Sequence, residues 1–169
     1  MGMRYRILAA FSALVVAGGV AVVATSQQAG AQQEFSLVAT QTNFAVIPAG
    51  GAATINPSES YVPNTGDEVT FRDTLTQGTA TVGFDTVVCT DTFNNNGLCT
   101  DIISITNVGD IHLTALVRGL FIPFSSNSGG PSTFDASIDG GTFAYANATG
   151  YMHGVDVTNN VTDYTLFLN

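Results

Sequence analysis

The chain has 169 residues, 45% of them hydrophobic, and thirteen acidic residues against four basic ones, a formal charge of −9. Lysine is absent, and beyond position 31 the only Arg residues are Arg72 and Arg118. A phosphate backbone would therefore be repelled rather than neutralised, which excludes nucleic-acid binding as a function class.

Arg4 and Arg6 precede an apolar run from Ile7 to about Ala24, and the small residues Ala29, Gly30 and Ala31 follow. This order of charge, apolar run and small residues reads as a secretory signal peptide over residues 1–31. The run is nearly long enough to cross a bilayer, so an uncleaved anchor is the rival reading. Cleavage after Ala31 leaves residues 32–169, or 138 residues, enough for one domain with a single core. All thirteen acidic residues stay in this part with two arginines, a formal charge of −11. The charge reads either as solubility and self-repulsion or as an acidic docking surface. The expected location is secreted or cell-envelope/periplasmic, with no membrane contact after cleavage.

Strand patterns begin at Phe35 to Thr42, where apolar and polar residues alternate with period two. Then comes Asn43 to Thr65, rich in Gly, Ala, Pro, Asn and Ser, which reads as a long loop packing Phe44, Val46, Ile47, Ile55, Tyr61 and Val62 over one end of the fold. Alternation resumes over Glu68 to Leu75, Thr79 to Thr90, Thr100 to Thr106, Ile111 to Phe121, Thr133 to Ile138, Gly150 to Val157 and Asp163 to Leu168. Turn signals fall at Gln77-Gly78, Asn94 to Gly97, Val108 to Asp110, Ser128 to Pro131, Asp139 to Gly141 and Asn159-Asn160. About eight short strands and no 3.6-residue stripe make an all-β protein. An eight-stranded antiparallel β-barrel removes exposed edges and leaves room for one small ligand; a sandwich is the alternative.

Cys89 and Cys99 are the only cysteines. An even number in an exported chain favours a disulfide, here closing a hairpin over the turn-forming TDTFNNNGL segment. The nine-residue spacing is not that of a redox C-x-x-C pair.

Five segments, FSLVATQTNF, GDEVTFRDTL, VGFDTVVCT, ISITNVGDIHLTALVRG and IDGGTFAYANATGYMHGVDV, together resemble the allene oxide cyclase and dirigent barrel superfamily, especially its small exported bacterial members. GGTFAYANATG is similar to the family's GGTGxYxxARG turn, and GDEVTF to the GDxVxF segment of the cyclases. The resemblance implies an eight-stranded antiparallel barrel with a largely hydrophobic cavity, a homo-oligomer (dimer or trimer), and either cyclase/isomerase or dirigent-like action on an unsaturated apolar substrate. Two positions depart from the pattern: Phe143 stands at the glycine that follows the threonine of the turn, and Thr149 at its arginine. Loss of that Arg removes a fixed cation and hydrogen-bond fork. Glu34 is the nearest counterpart to the cyclase's N-terminal acid.

Candidate site residues follow from face and chemistry. Asp73 shares a strand face with Val69, Phe71 and Leu75, and it matches an Asp after the early strand of dirigent proteins. It reads as a general acid raised by burial, or as a cap of the following turn. Tyr145, matched within the family turn, is the second catalytic candidate. Phe71, Arg118, Tyr151 and His153 are candidate ligand-binding residues: an aromatic wall, a cation for an anionic ligand group, a phenol and an imidazole. For Arg118 the alternative is a surface or interface ion pair, and for the tyrosines and His153 it is packing with polar tips exposed. No metal is expected, since His112 and His153 are the only histidines and no H-x-x-x-H spacing exists. Neither is a cofactor. A G-x-S-x-G elbow is absent, which argues against a hydrolase of that type. The expected partner is a small hydrophobic ligand, with catalysis left open.

Overall fold

The computed structural model describes residues 32–55, 64–120, 133–158 and 160–169. The expected signal peptide, residues 56–63 of the expected loop and the Ser128 to Pro131 turn lie outside them. Among the described residues, nine strands occur in chain order: β1 Gln33–Ile47, β2 Thr54–Ile55, β3 Glu68–Gln77, β4 Ala80–Asp91, β5 Gly97–Ile105, β6 Gly109–Val117, β7 Thr133–Gly141, β8 Gly150–Thr158 and β9 Val161–Leu168. Each long strand pairs antiparallel with the next, and β1 closes the circuit by pairing with β9 from Gln33↔Leu168 to Thr40↔Val161. That closure makes an eight-stranded barrel and eliminates the sandwich. The short β2 adds only an edge pairing with Ala45 and Val46 of β1.

Closure works because the strands alternate in chemistry with the pleat. Along β5, Cys99, Asp101, Ile103 and Ile105 are buried while Leu98, Thr100 and Ile102 are exposed. The inward residues form two apolar layers. One, at the end holding the β3–β4 and β5–β6 turns, contains Leu37, Leu75, Ile103, Ile111, Met152 and Leu166. The other, at the opposite end, contains Val46, Val69, Cys89, Cys99 and Val117.

The start of the expected loop and one expected turn are strand instead. Strand β1 runs on to Ile47, with a register shift between Gln41 and Asn43, so Phe44 and Val46 belong to the barrel wall and not to a covering loop. Asp139 to Gly141 lies within β7, where His112 pairs with Gly140 but Leu113 pairs with Ile138. The extra residue is a β-bulge, and Gly140 at φ 147° supplies the conformation it needs. Turn-like chemistry here bends a strand without ending it. The chain reverses later, through a short 3-10 turn at Phe143–Tyr145.

Cys89 and Cys99 sit directly opposite each other in β4 and β5 and are bonded. Between the strands, Asn94 and Asn95 take positive φ (64° and 59°), a conformation Asn tolerates better than most residues. Replacing both cysteines by serine should cost about 2–3 kcal/mol, the loop-closure contribution of a ring this small. Urea unfolding checks this; an unchanged midpoint would mean the hairpin gains nothing from the bond.

Candidate functional site

Between the two apolar layers lies a belt of buried acids. Asp73 of β3 pairs with Asp85 of β4, and Asp101 of β5 pairs with Val87, the next inward position of β4. Their exposures are 9%, 0% and 7%. The strand alternation that buries Leu75 and Cys89 also turns these carboxyls inward. Tyr164 of β9, itself buried, bears on Asp85 as a hydrogen-bond donor. The backbone N–H of Asp73 donates to Asp85 Oδ1 at 3.1 Å.

Three carboxyls in an apolar barrel cannot all ionise cheaply. Burial pushes Asp73 up to about 6. Asp85 is pushed up to about 7 by burial and by the neighbouring Asp73 charge, against the lowering effect of the Tyr164 and backbone hydrogen bonds. Asp101 is raised well above the carboxylate range by burial, then by Asp85 and Asp73. Tyr164 is raised well above the usual phenol range by burial and the same carboxylates. Near neutral pH the belt therefore holds protons it can donate beside carboxylates that can accept them. Asp73 Oδ1, Asp85 Oδ2 and Asp101 Oδ1 are buried with no hydrogen-bond partner among the described residues. Such atoms cost free energy unless something else meets them.

The two sides of this belt differ. On the side of the β3–β4 turn, Leu75, Ile103, Ile111 and Leu166 are fully buried. On the other side, Phe44, Phe71 and Val87 are only partly buried against the inner layer, while Ala115 and Phe134, also partly buried, pack against both layers. Phe44 and Phe71 stack at 5.2 Å between ring centroids. Phe134 meets Tyr164 edge-on at 6.3 Å, and its ring occupies the space a Cβ on Gly154 would take. Full burial of large side chains is thus concentrated in the layer at the β3–β4 turn, and the partly covered rings of Phe44, Phe71 and Phe134 line the other half, with acids between.

At that open end, Asp67 accepts the backbone N–H groups of Ala49 and Asn64, both at 2.8 Å, and so ties down the two ends of the β2–β3 region. Asp91 is buried beside it, and burial and Asp67 raise its pKa.

The sequence-predicted residues divide. Asp73 and Phe71 lie together in the interior. Tyr145 is buried in the closed end, stacked on Phe35 at 6.5 Å between centroids, in the apolar layer beyond the acid belt. Arg118 is exposed just past β6, in line with the outward His112, Thr114 and Leu116. Tyr151 stacks on Phe167 at 4.5 Å on the outer wall. His153 points outward too, with Nδ1 2.7 Å from Asp135 Oδ1. Strand parity is the reason: the inward positions of β8 are Met152 and Gly154, so Tyr151 and His153 face out. Among the described residues, no group of three or more His, Cys, Asp or Glu is arranged to hold a metal ion.

No protein-family model matches the sequence, and no curated protein does. Solved structures do match. A pyocyanin demethylase superposes with a TM-score of 0.59 at 23% identity, over 81% of this chain and 100% of that one. The pterocarpan synthase dirigent protein PsPTS1 also gives 0.59, at 13% identity, over 84% of this chain and 97% of its own. The chain has the dirigent-type barrel fold. Within this barrel, Asp85, Asp101, Tyr164 and Phe134 are candidate site residues that the sequence reading passed over, and Phe44, expected in a covering loop, joins them from the wall.

Proposed function

We propose that the dirigent-type barrel of this chain binds a small, largely apolar molecule in the open half of its interior, against the carboxyl belt. One observation carries the reading: partly uncovered aromatic side chains stand over buried carboxyl oxygens that lack partners. A mostly apolar recess with a few convergent polar groups is the usual form of a small-molecule site. The two barrels of the same fold are named for pyocyanin and pterocarpan, and a comparable use of the interior is proposed here. The chain is exported, and its disulfide forms in an oxidising compartment.

Titration with 10-methylacridone, a neutral planar ring compound, tests this by fluorescence. Saturable binding is expected, and Ala115→Trp, which fills the open half, should weaken it by about tenfold or more, more than 1.4 kcal/mol. Equal affinity in a folded Ala115→Trp protein would place the ligand elsewhere.

A second reading, catalysis of isomerisation or cyclisation, is favoured by the positions of Asp73 and Asp85 near neutral on the proton scale. One protonated and one ionised carboxyl on adjacent strands form an acid/base pair. Asp101 and Tyr164 would hold the pair in place.

A further inference from the structure

We infer that the ligand this interior selects is a cation, a planar aromatic carrying one positive charge on a ring nitrogen or an attached amine. The inference rests on the reading that the open half of the barrel binds a small molecule, and it adds the charge that molecule carries.

The charges facing the barrel interior are imbalanced. Every charged side chain on an inward position of the described strands is an aspartate. Asp73, Asp85 and Asp101 form the belt; Asp67, just before β3, and Asp91, at the end of β4, follow at the mouth. On β8, Asp156 continues the inward series of Met152 and Gly154 to the rim, where it is exposed and accepts the Thr162 hydroxyl at 2.9 Å. Strands β1, β5, β6, β7 and β9 bring no cation inward. Arg72 is on the outer wall, its guanidinium 4.1 Å from the centre of the Phe84 ring, and Arg118 is exposed beyond β6. His112 is exposed and His153 pairs with Asp135 outside. The stretches 56–63 and 121–132 contain no Lys, Arg or His. The chain from residue 32 onward thus has no cation of its own to offer the belt.

Buried carboxylates are ordinarily paired with a cation or hydrogen-bonded. Here the partner must come from outside. A bare inorganic cation fits poorly, because the acids lack a metal-ligating arrangement and the surrounding surface is aromatic. A flat organic cation fits both features. Its ring lies against Phe44, Phe71 and Phe134, whose faces attract positive charge, and its charged edge meets the unpartnered oxygens of Asp85 and Asp101. The aspartates at the mouth raise the local concentration of such a molecule.

Proton linkage gives the sign of the pH dependence. A bound cation favours the ionised carboxyls, so its affinity rises as pH climbs through the range where Asp73 and Asp85 lose their protons and levels off above it. A neutral ligand of the same shape lacks this dependence or shows it reversed.

The test compares 10-methylacridinium with neutral 10-methylacridone on the full mature chain. At about pH 8 the cation should bind roughly tenfold more tightly, and at about pH 5 the preference should fall below about threefold. Asp85→Asn and Asp101→Asn should each reduce cation affinity by a larger factor than acridone affinity, so that the preference for the cation at about pH 8 falls below about threefold. The outer-wall variants Asp139→Asn and Asp163→Asn should change neither. Equal binding of the two probes overturns the charge assignment and leaves the proposed function standing. So does a cation preference that survives Asp85→Asn combined with Asp101→Asn, which would locate the cation on the acidic exterior. If neither probe binds, the proposed function falls with the inference.

Discussion

Asp85→Asn should make the protein more stable at neutral and alkaline pH and flatten its stability profile. The native carboxyl is pushed up to about 7 from an ordinary 3.8. A carboxyl raised in the folded state stabilises that state while it stays protonated. The advantage is fully present below the unfolded value and is lost as pH climbs through the folded one. With one pKa unit equal to about 1.4 kcal/mol, the wild type should lose about 4 kcal/mol from this group between about pH 4 and pH 8. Asparagine cannot ionise, so the variant avoids that loss and also relieves the repulsion felt by Asp73 and Asp101. Thermal unfolding across this pH range reads the effect, with Asp163→Asn as an exposed control that keeps the wild-type slope. An Asp85→Asn profile as steep as the wild type would mean that Asp85 is ionised in water-like surroundings.

Gly150→Ala should be the most damaging single methyl group in the barrel. Gly150 opens β8 at φ 135°, a conformation that L side chains avoid. A Cβ there would lie 1.9 Å from the backbone oxygen of Phe167 on β9, and backbone cannot swing aside as a side-chain tip can. Strain and overpacking together should cost about 3 kcal/mol or more, lowering the melting temperature by roughly 10 °C. The comparison is Gly78→Ala in the β3–β4 turn, where φ is also positive at 61° but a Cβ meets nothing within 4 Å. Equal losses in the two variants would show that backbone conformation alone, and not the close approach of β9, makes residue 150 a glycine.

How much of this was legible in the sequence depends on which face of a strand was in question. Period-two alternation is a local signal, and it located all eight barrel strands. Closure is not local: nothing in FSLVATQTNF or TDYTLFLN alone says that they pair. The family resemblance supplied that expectation, and the β1–β9 ladder met it. Asp73 was found because three apolar neighbours fixed its face. Asp85 and Asp101 were missed although the cysteines already held the answer. If Cys89 and Cys99 bond across a hairpin, both point to one side, and so must Asp85 and Asp101, four and two residues away along their strands. Tyr164 and Phe134 could not be found this way, since their roles depend on strands brought together only when the barrel closes. Arg118, Tyr151 and His153 were chosen for chemistry rather than parity, and their strands turn them outward.

The misplaced turn at Asp139 to Gly141 has the same origin. Asp-Gly-Gly reads as a chain reversal, yet in a barrel a bulge uses the same residues to bend a strand. Sequence marks the need for unusual backbone there, and pairing with β6 decides the use.

The proposed ligand site is the open half of the barrel, floored by Asp73, Asp85 and Asp101. Carbon-13 NMR of protein labelled at the Asp carboxyls, recorded with and without saturating 10-methylacridone, tests it most directly. The resonances of Asp73, Asp85 and Asp101 are expected to move on binding while those of Asp135, Asp139 and Asp163 stay fixed. Shifts confined to the outer-wall aspartates, with the belt unchanged, would contradict it.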